Sequence, residues 1–180
     1  MSSDDAWVGE AQPYLAPRQP GERDAWSDES AARGRRGTQR LLAVAEVEPP
    51  ESVRAFLGSA NEKVVVRRRL ILLDDQPVEL ADSYYPLHIA RGTGLALMGK
   101  IPGGAVTLLA QLGFAAENDP LEDVAAATAS ASECEALGLQ AGAAVLVLSR
   151  FTRSTRGVPM EVSVMTMTRH LQYRQRKQAS

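Results

Sequence analysis

The chain has 180 residues, room for one compact domain and a tail. With 44% hydrophobic and 23% charged residues it is not wholly disordered, and 5% aromatics leave little for a base-stacking platform. The 20 Lys+Arg against 22 Asp+Glu give a net charge of −2, so no bulk positive field is present to hold a phosphate backbone.

Residues 1–38 carry Pro13, Pro17 and Pro20, several acids and almost no aliphatic periodicity, with Trp7, Tyr14 and Trp26 scattered among polar residues. They read as an extended or disordered leader ending in the basic stretch ARGRRGTQR, either a solvated linker or a contact with DNA or a partner domain. LLAVAEVEPP then predicts a short strand ended by two prolines, and Pro50-Glu51 open a helix through Leu57 with Gly58 at its end. Residues 64–86, VVVRRRLILLDDQPVELADSYYP, read as a β-hairpin turning over Asp74–Pro77. Gly103-Gly104 precede a two-turn helix closed by Gly113. Ser130 and Glu133 have capping-box spacing and start a second short helix that stops at Gly138. Residues 144–167 form a second hairpin with Ser154–Gly157 as its turn. Two antiparallel hairpins with helices between them predict an α+β domain with one central antiparallel sheet and flanking short helices, not a doubly wound parallel one.

No phosphate loop, dinucleotide fingerprint or nucleophile elbow occurs. His88 and His170 lack a second His or Cys at ligand spacing, so neither a metal nor a cofactor is expected. Cys134, the one cysteine, excludes an internal disulfide and sits between Glu133 and Glu135, which disfavour a thiolate; packing is its expected role. A reducing compartment, no apolar run of membrane-spanning length and an N-terminus without signal-peptide character together predict a soluble cytoplasmic domain.

Charged residues inside strands are the more informative ones. Alternation sends Arg67 and Arg69 to one face and Arg68 to the other. A turn centred on Asp75-Gln76 sets Arg69 opposite Asp82 and Arg67 opposite Tyr84, whereas a one-residue bulge brings Ala81 and Ser83 to that face. Arg69 is then either half of an exposed ion pair or a guanidinium aimed into a pocket, where it suits a carboxylate or phosphate. In the second hairpin Arg150 falls opposite Glu161 and Leu148 opposite Ser163. Glu161 stands in an apolar strand, so it either pairs with Arg150 or lines a polar cavity, with Met165 and Met167 on its side as adaptable walls or core filler. Gly103 and Gly104, at a helix start, offer backbone N–H groups that attract anions.

The order DDQPVELADSYYP, then LLAQLGF after a glycine pair, then ASASECEALGLQAGAAVLVLSRFTRSTRGVPMEVSVMTM resembles the UTRA domain, the effector-binding domain of HutC-type regulators in the GntR family, over about residues 38–174. The resemblance implies a chorismate-lyase-like fold, a small-molecule pocket beside the sheet and dimerisation. It implies residues 1–38 as linker, 39–174 as the effector-binding domain and 175–180 as a tail, with no winged helix-turn-helix of its own. Such a chain would be a homodimer, or a heterodimer with a full-length regulator, reaching DNA only indirectly and no membrane. Position by position, Arg69 matches the first of two strand arginines that hold anionic effectors, while the second falls at Ile71. A family glutamate falls at Ala81 and a hydroxyl residue near Gly104. Glu161 matches an effector-touching glutamate, whose aromatic partner is Met167 here. The expected role is a non-enzymatic sensor of a small, rather apolar effector, bound by Arg69 and Glu161 at its polar end and by Tyr84, Met165 and Met167 along its body, with Ser83 and Ser163 on the same strands, or else a dimerisation module with no effector. An enzyme on the chorismate lyase plan, using Arg69, Arg150 and Glu161, is the alternative, and direct DNA contact through residues 33–40 a third.

Overall fold

A computed structural model describes residues 7–8, 12–19, 21–58, 62–168 and 171–172. His170 and the 175–180 tail lie outside the described residues. Six strands, β1 (Gly37–Val47), β2 (Val64–Leu73), β3 (Gln76–Pro86), β4 (Leu121–Thr128), β5 (Ala144–Arg153) and β6 (Pro159–Met167), form one sheet in the order β1-β2-β3-β6-β5-β4. All five pairings are antiparallel. A separate two-residue parallel pairing joins Trp7–Val8 to Leu171–Gln172.

Both expected hairpins form. The first turns on Asp74-Asp75 alone, with φ of 49° and 64°, the left-handed pair that a two-residue primed turn requires. Its carboxylates are held from the N-terminal segment: the Arg35 Nε donates to Asp74 Oδ2 at 2.5 Å, the Arg36 amide to Asp74 Oδ1 at 2.8 Å, and the Arg36 guanidinium pairs with Asp75. The Arg36 amide and then the Arg35 guanidinium hold the Asp74 carboxyl below its ordinary range. Arg35 and Arg36 therefore clasp this turn.

A bulge at Val78 on β3, opposite the Ile71–Leu72 step of β2, fixes the register: Arg69 lies opposite Ala81, Arg67 opposite Ser83 and Arg68 opposite Asp82. The bulged alternative holds, and the Arg69–Asp82 pairing does not. The ion pair belongs to Arg68, which grips Asp82 at 2.6 and 2.8 Å on the opposite face. In the second hairpin Arg150 faces Ser163, Thr152 faces Glu161 and Leu148 faces Met165. The expected register was off by two residues, because the connection runs longer than the 154–157 turn and a further bulge follows Thr152. A shift of two preserves sidedness, so the residues stay on the expected face with different partners.

Helices cover both faces. α3 (Glu51–Leu57) and α6 (Ala131–Leu137) pack on one side, where Val53, Leu57, Val64, Tyr84 and Val162 form one cluster and Leu70, Leu80 and Leu137 another. The Ser130–Glu133 capping box is present, and Cys134 is buried at the centre of α6. On the other side, α4 (Leu87–Ala90) and α5 (Gly104–Gln111) enclose Val65, Tyr85, Ile89, Leu95, Leu109 and Met160.

One strand has no counterpart in the sequence reading, and one expectation changes. β4 carries no strand signal in LEDVAAAT, whose alanines favour helix; pairing along the whole of β5 overrides that preference. The 1–38 leader is not extended throughout. α1 (Gln12–Leu15) and α2 (Ala25–Ala31) fold onto the sheet, Asp24 capping α2 through the Ser27 amide at 2.9 Å. Trp26 is 4% exposed, packs with Ile71, Leu73 and Ala81, and donates its indole N–H to the Leu72 carbonyl at 2.9 Å. The approach is close enough that a Cβ on Gly37 would meet Trp26 Nε1 at 2.7 Å. One buried aromatic supplies enough apolar area to order a short helix that composition alone does not predict.

Candidate functional site

Beside the sheet, on the face of β2, β3 and β6 that carries Arg67, Arg69, Ala81, Ser83, Glu161 and Ser163, lies a cavity of about 210 Å³. An adjoining space of about 530 Å³ shares Arg69, Tyr85, Gly103 and Gly104 with it. The sheet is the floor, the α5 start is one wall, and α1–α2 with the chain between them is the roof, through Tyr14, Arg18 and Trp26.

The floor is one connected chain of polar groups. The Arg69 Nη2 donates to Ser83 Oγ at 3.0 Å, and Ser83 and Ser163 share a hydrogen bond of 2.9 Å. Ser163 Oγ donates to Glu161 Oε1 at 2.9 Å, and the Tyr85 hydroxyl donates to the same oxygen at 2.9 Å. Strand alternation makes this possible, because Ser83 and Tyr85 project together from β3 and Glu161 and Ser163 from β6. Burial first, and then the charge of Glu161, raise the Tyr85 phenol above its ordinary range, so Tyr85 stays a donor. Arg150 is not aimed at Glu161: its Nε donates to Glu122 Oε1 at 2.7 Å, both side chains mostly buried, and its guanidinium lies 5.8 Å from the Tyr14 ring centre. The β5–β4 pairing that places Glu122 opposite Arg150 accounts for this.

Arg69, Ala81, Gly103, Gly104, Arg150, Glu161, Ser163, Met165 and Met167 all border the cavity, and Ser83 lies beneath it as the link between Arg69 and Ser163. Tyr84 does not. It points to the opposite face among Val53, Leu57 and Val162, where burial and then the Asp82 carboxylate push its phenol up to about 12. Its neighbour Tyr85 takes the place expected of it, and the parity shared by Ala81, Ser83 and Tyr85 was the available signal. The glycine pair is not an open anion cradle, since the Gly104 amide donates to the Ile101 carbonyl at 2.9 Å. Its use is conformational. Gly103 has φ 73°, and a Cβ there would meet the Thr107 side chain at 2.9 Å, whose hydroxyl donates to the Gly103 carbonyl at 2.7 Å and accepts the Arg18 amide at 2.9 Å. Gly103→Ala is expected to destabilise the domain by about 1–2 kcal/mol, seen as a lower urea midpoint with an unchanged slope.

Arg67, on the same face, does other work. The residue is 5% exposed, and its guanidinium donates to the carbonyls of Gly94, Leu95, Leu97 and Gly99 at 3.0, 3.1, 2.7 and 2.8 Å, tying the loop before α5 to the sheet. Sequence reasoning left it without a role, since its partners are backbone atoms of a loop with no motif. Tyr14, Trp26, Gln39, Glu79 and Glu122 were also missed, being contributed by the leader, by edge strands or by positions beyond the bulge. Among the described residues no group of three or more His, Cys, Asp or Glu is placed to hold a metal, and no helix is long and apolar enough to cross a membrane.

The UTRA domain model matches residues 32–170. The chain belongs to the UTRA domain family and is a ligand-sensing regulatory domain of the kind found in GntR-type transcription regulators. Among solved structures it is similar to the ligand-binding domain of a GntR-family regulator from Bordetella bronchiseptica (24% identity, TM-score 0.67, 89% of this chain and 95% of that one). It is also similar to PhnF from Mycobacterium smegmatis (19%, TM-score 0.72, 89% and 72%) and to a transcriptional regulator from Streptomyces coelicolor (26%, TM-score 0.60, 74% and 87%). No curated protein matches the chain.

Proposed function

We propose that a small-molecule effector binds in the cavity between the sheet, the start of α5 and the α1–α2 roof, and that the domain works without catalysis, in the cytoplasm, as a dimer that reaches DNA through another domain or partner. The observation that carries this reading is the hydrogen-bonded line Arg69–Ser83–Ser163–Glu161–Tyr85 along the cavity floor. Its donor end at Arg69 and acceptor end at Glu161 orient a polar group, and Met165, Met167, Ala81 and Trp26 supply apolar contact. A chorismate-lyase-like reaction needs arginines free to hold two carboxylates; Arg150 is committed to Glu122, which favours the sensor over the enzyme.

A thermal-shift screen of metabolites tests the reading. A ligand at 100 times its dissociation constant is expected to add about 2.7 kcal/mol of stability, and the shift is expected to vanish in Arg69→Ala and Glu161→Ala. A ligand that stabilises these variants as well as the parent counts against this cavity. For the assembly, light scattering is expected to give twice the chain mass, and a stable monomer at micromolar concentration overturns the dimer.

A further inference from the structure

We infer that the effector carries a protonated amine on an apolar body, rather than a phosphate or carboxylate; this rests on the reading of the cavity as the effector site. Five carboxylates and three guanidiniums border the cavity, so its lining is acidic overall. Of the guanidiniums, Arg150 is neutralised by Glu122 at 2.7 Å, and Arg18 pairs with Asp28. Arg69 remains, and its two Nη atoms already donate to Ser83 and, at 3.4 Å, to Gln39. Within this cavity a fully ionised phosphate would have that one guanidinium to meet it, with buried carboxylates close by; Arg23 and Lys100 border only the adjoining space.

Glu161 offers the opposite opportunity. It is 8% exposed, and both hydrogen bonds it accepts, from Tyr85 and Ser163, come from neutral hydroxyls and fall on Oε1. Among the described residues Oε2 accepts none and no cation pairs with this carboxylate. Neutral donors orient a carboxylate but leave its charge uncompensated, and away from bulk water a facing ammonium is attracted far more strongly than at the surface. The surroundings suit such a cation's carbon skeleton: Met165 and Met167 lie on the same strand, and Trp26 and Tyr14 stand above. Apolar and aromatic walls around an acidic anchor held only by neutral donors select an amine that carries hydrocarbon, and they disfavour a hydrated, polyanionic sugar phosphate.

The test is a differential screen of the full chain with primary and secondary amines, each paired with a carboxylate of matched shape. The pairs include phenethylamine with phenylacetate, cyclohexylmethylamine with cyclohexanecarboxylate and octylamine with octanoate, and glucose 6-phosphate represents the phosphates. The expected result is that an amine raises the melting temperature while its carboxylate partner leaves it unchanged. Glu161→Gln keeps the shape and the acceptor for Tyr85, and is expected to weaken that amine at least tenfold by calorimetry. Binding of carboxylates or the phosphate in preference to amines overturns the amine assignment and leaves the cavity reading standing. Amine binding that is indifferent to Glu161→Gln overturns the anchor. A flat response across amines, carboxylates and phosphate alike overturns the cavity reading together with the assignment.

Discussion

Replacing Arg67 with methionine is expected to cost about 3 kcal/mol of stability and to free the loop before α5. Methionine restores most of the stem volume, so little of the loss comes from packing. What disappears are four bonds of 2.7–3.1 Å from a buried guanidinium to the carbonyls of Gly94, Leu95, Leu97 and Gly99. Hydrogen bonds to a charged group contribute about 1.5–3 kcal/mol each, and the total falls short of fourfold because a loosened loop recovers water. Urea denaturation is the direct measurement, with amide exchange over residues 94–101 as the local one. Arg67→Lys is expected to recover only part of the loss, because an ammonium has three donors and no planar fork. A midpoint unchanged in Arg67→Met would show that the loop is held by Leu95, which is itself fully buried, and not by the guanidinium.

The second large effect concerns the roof. Trp26→Ala is expected to release residues 12–31 from the sheet while the six strands stay folded. Truncating a buried tryptophan costs about 3–5 kcal/mol where the surroundings cannot collapse. Other contacts of this segment with the rest of the domain are polar or peripheral, among them the Arg18 amide to Thr107 at 2.9 Å, the Ser27 hydroxyl to the Gly37 carbonyl at 3.2 Å and the Tyr14 ring 5.8 Å from the Arg150 guanidinium, while Tyr14–Glu29 and Arg18–Asp28 lie within the segment itself. A seven-residue helix has no stability of its own without its docking contact. Limited trypsin digestion is expected to cut the variant rapidly after Arg18 and Arg23 and the parent slowly, leaving in both a resistant fragment containing the sheet. Equal resistance of parent and variant would show that the roof is held from Tyr14 and Arg18 instead.

These two residues also mark where sequence reasoning reached and where it stopped. Local chemistry was readable: the Ser130–Glu133 box, the helix opened at Pro50-Glu51 and the two hairpins all follow from short-range rules and all form. Sidedness was readable too, since Arg69, Glu161, Ser163, Met165 and Met167 share a face by alternation alone. Partners were not. Hairpin spacing offers Arg150 only Glu161 as a partner, because nothing in LEDVAAAT announces the strand that carries Glu122. Tyr84 and Tyr85 are chemically almost alike, and only the bulge decides which of them meets the cavity. Arg67 and Trp26 act on distant backbone, a kind of contact that leaves no pattern in composition or spacing.

The bulge opposite Ile71 and Leu72 has a consequence for how such a domain changes its ligand. With it, β3 turns Ala81, Ser83 and Tyr85 toward the cavity; the unbulged register, one residue away, would turn Leu80, Asp82 and Tyr84 there instead. The two sets differ in size, charge and hydrogen-bonding capacity, yet they are encoded by the same eleven-residue strand. Recognition chemistry on this sheet can therefore be rewritten by gaining or losing a single residue near the Asp74-Asp75 turn, with no substitution inside the pocket. Length variation at a hairpin tip, ordinarily tolerated as neutral drift, is here a route to new specificity.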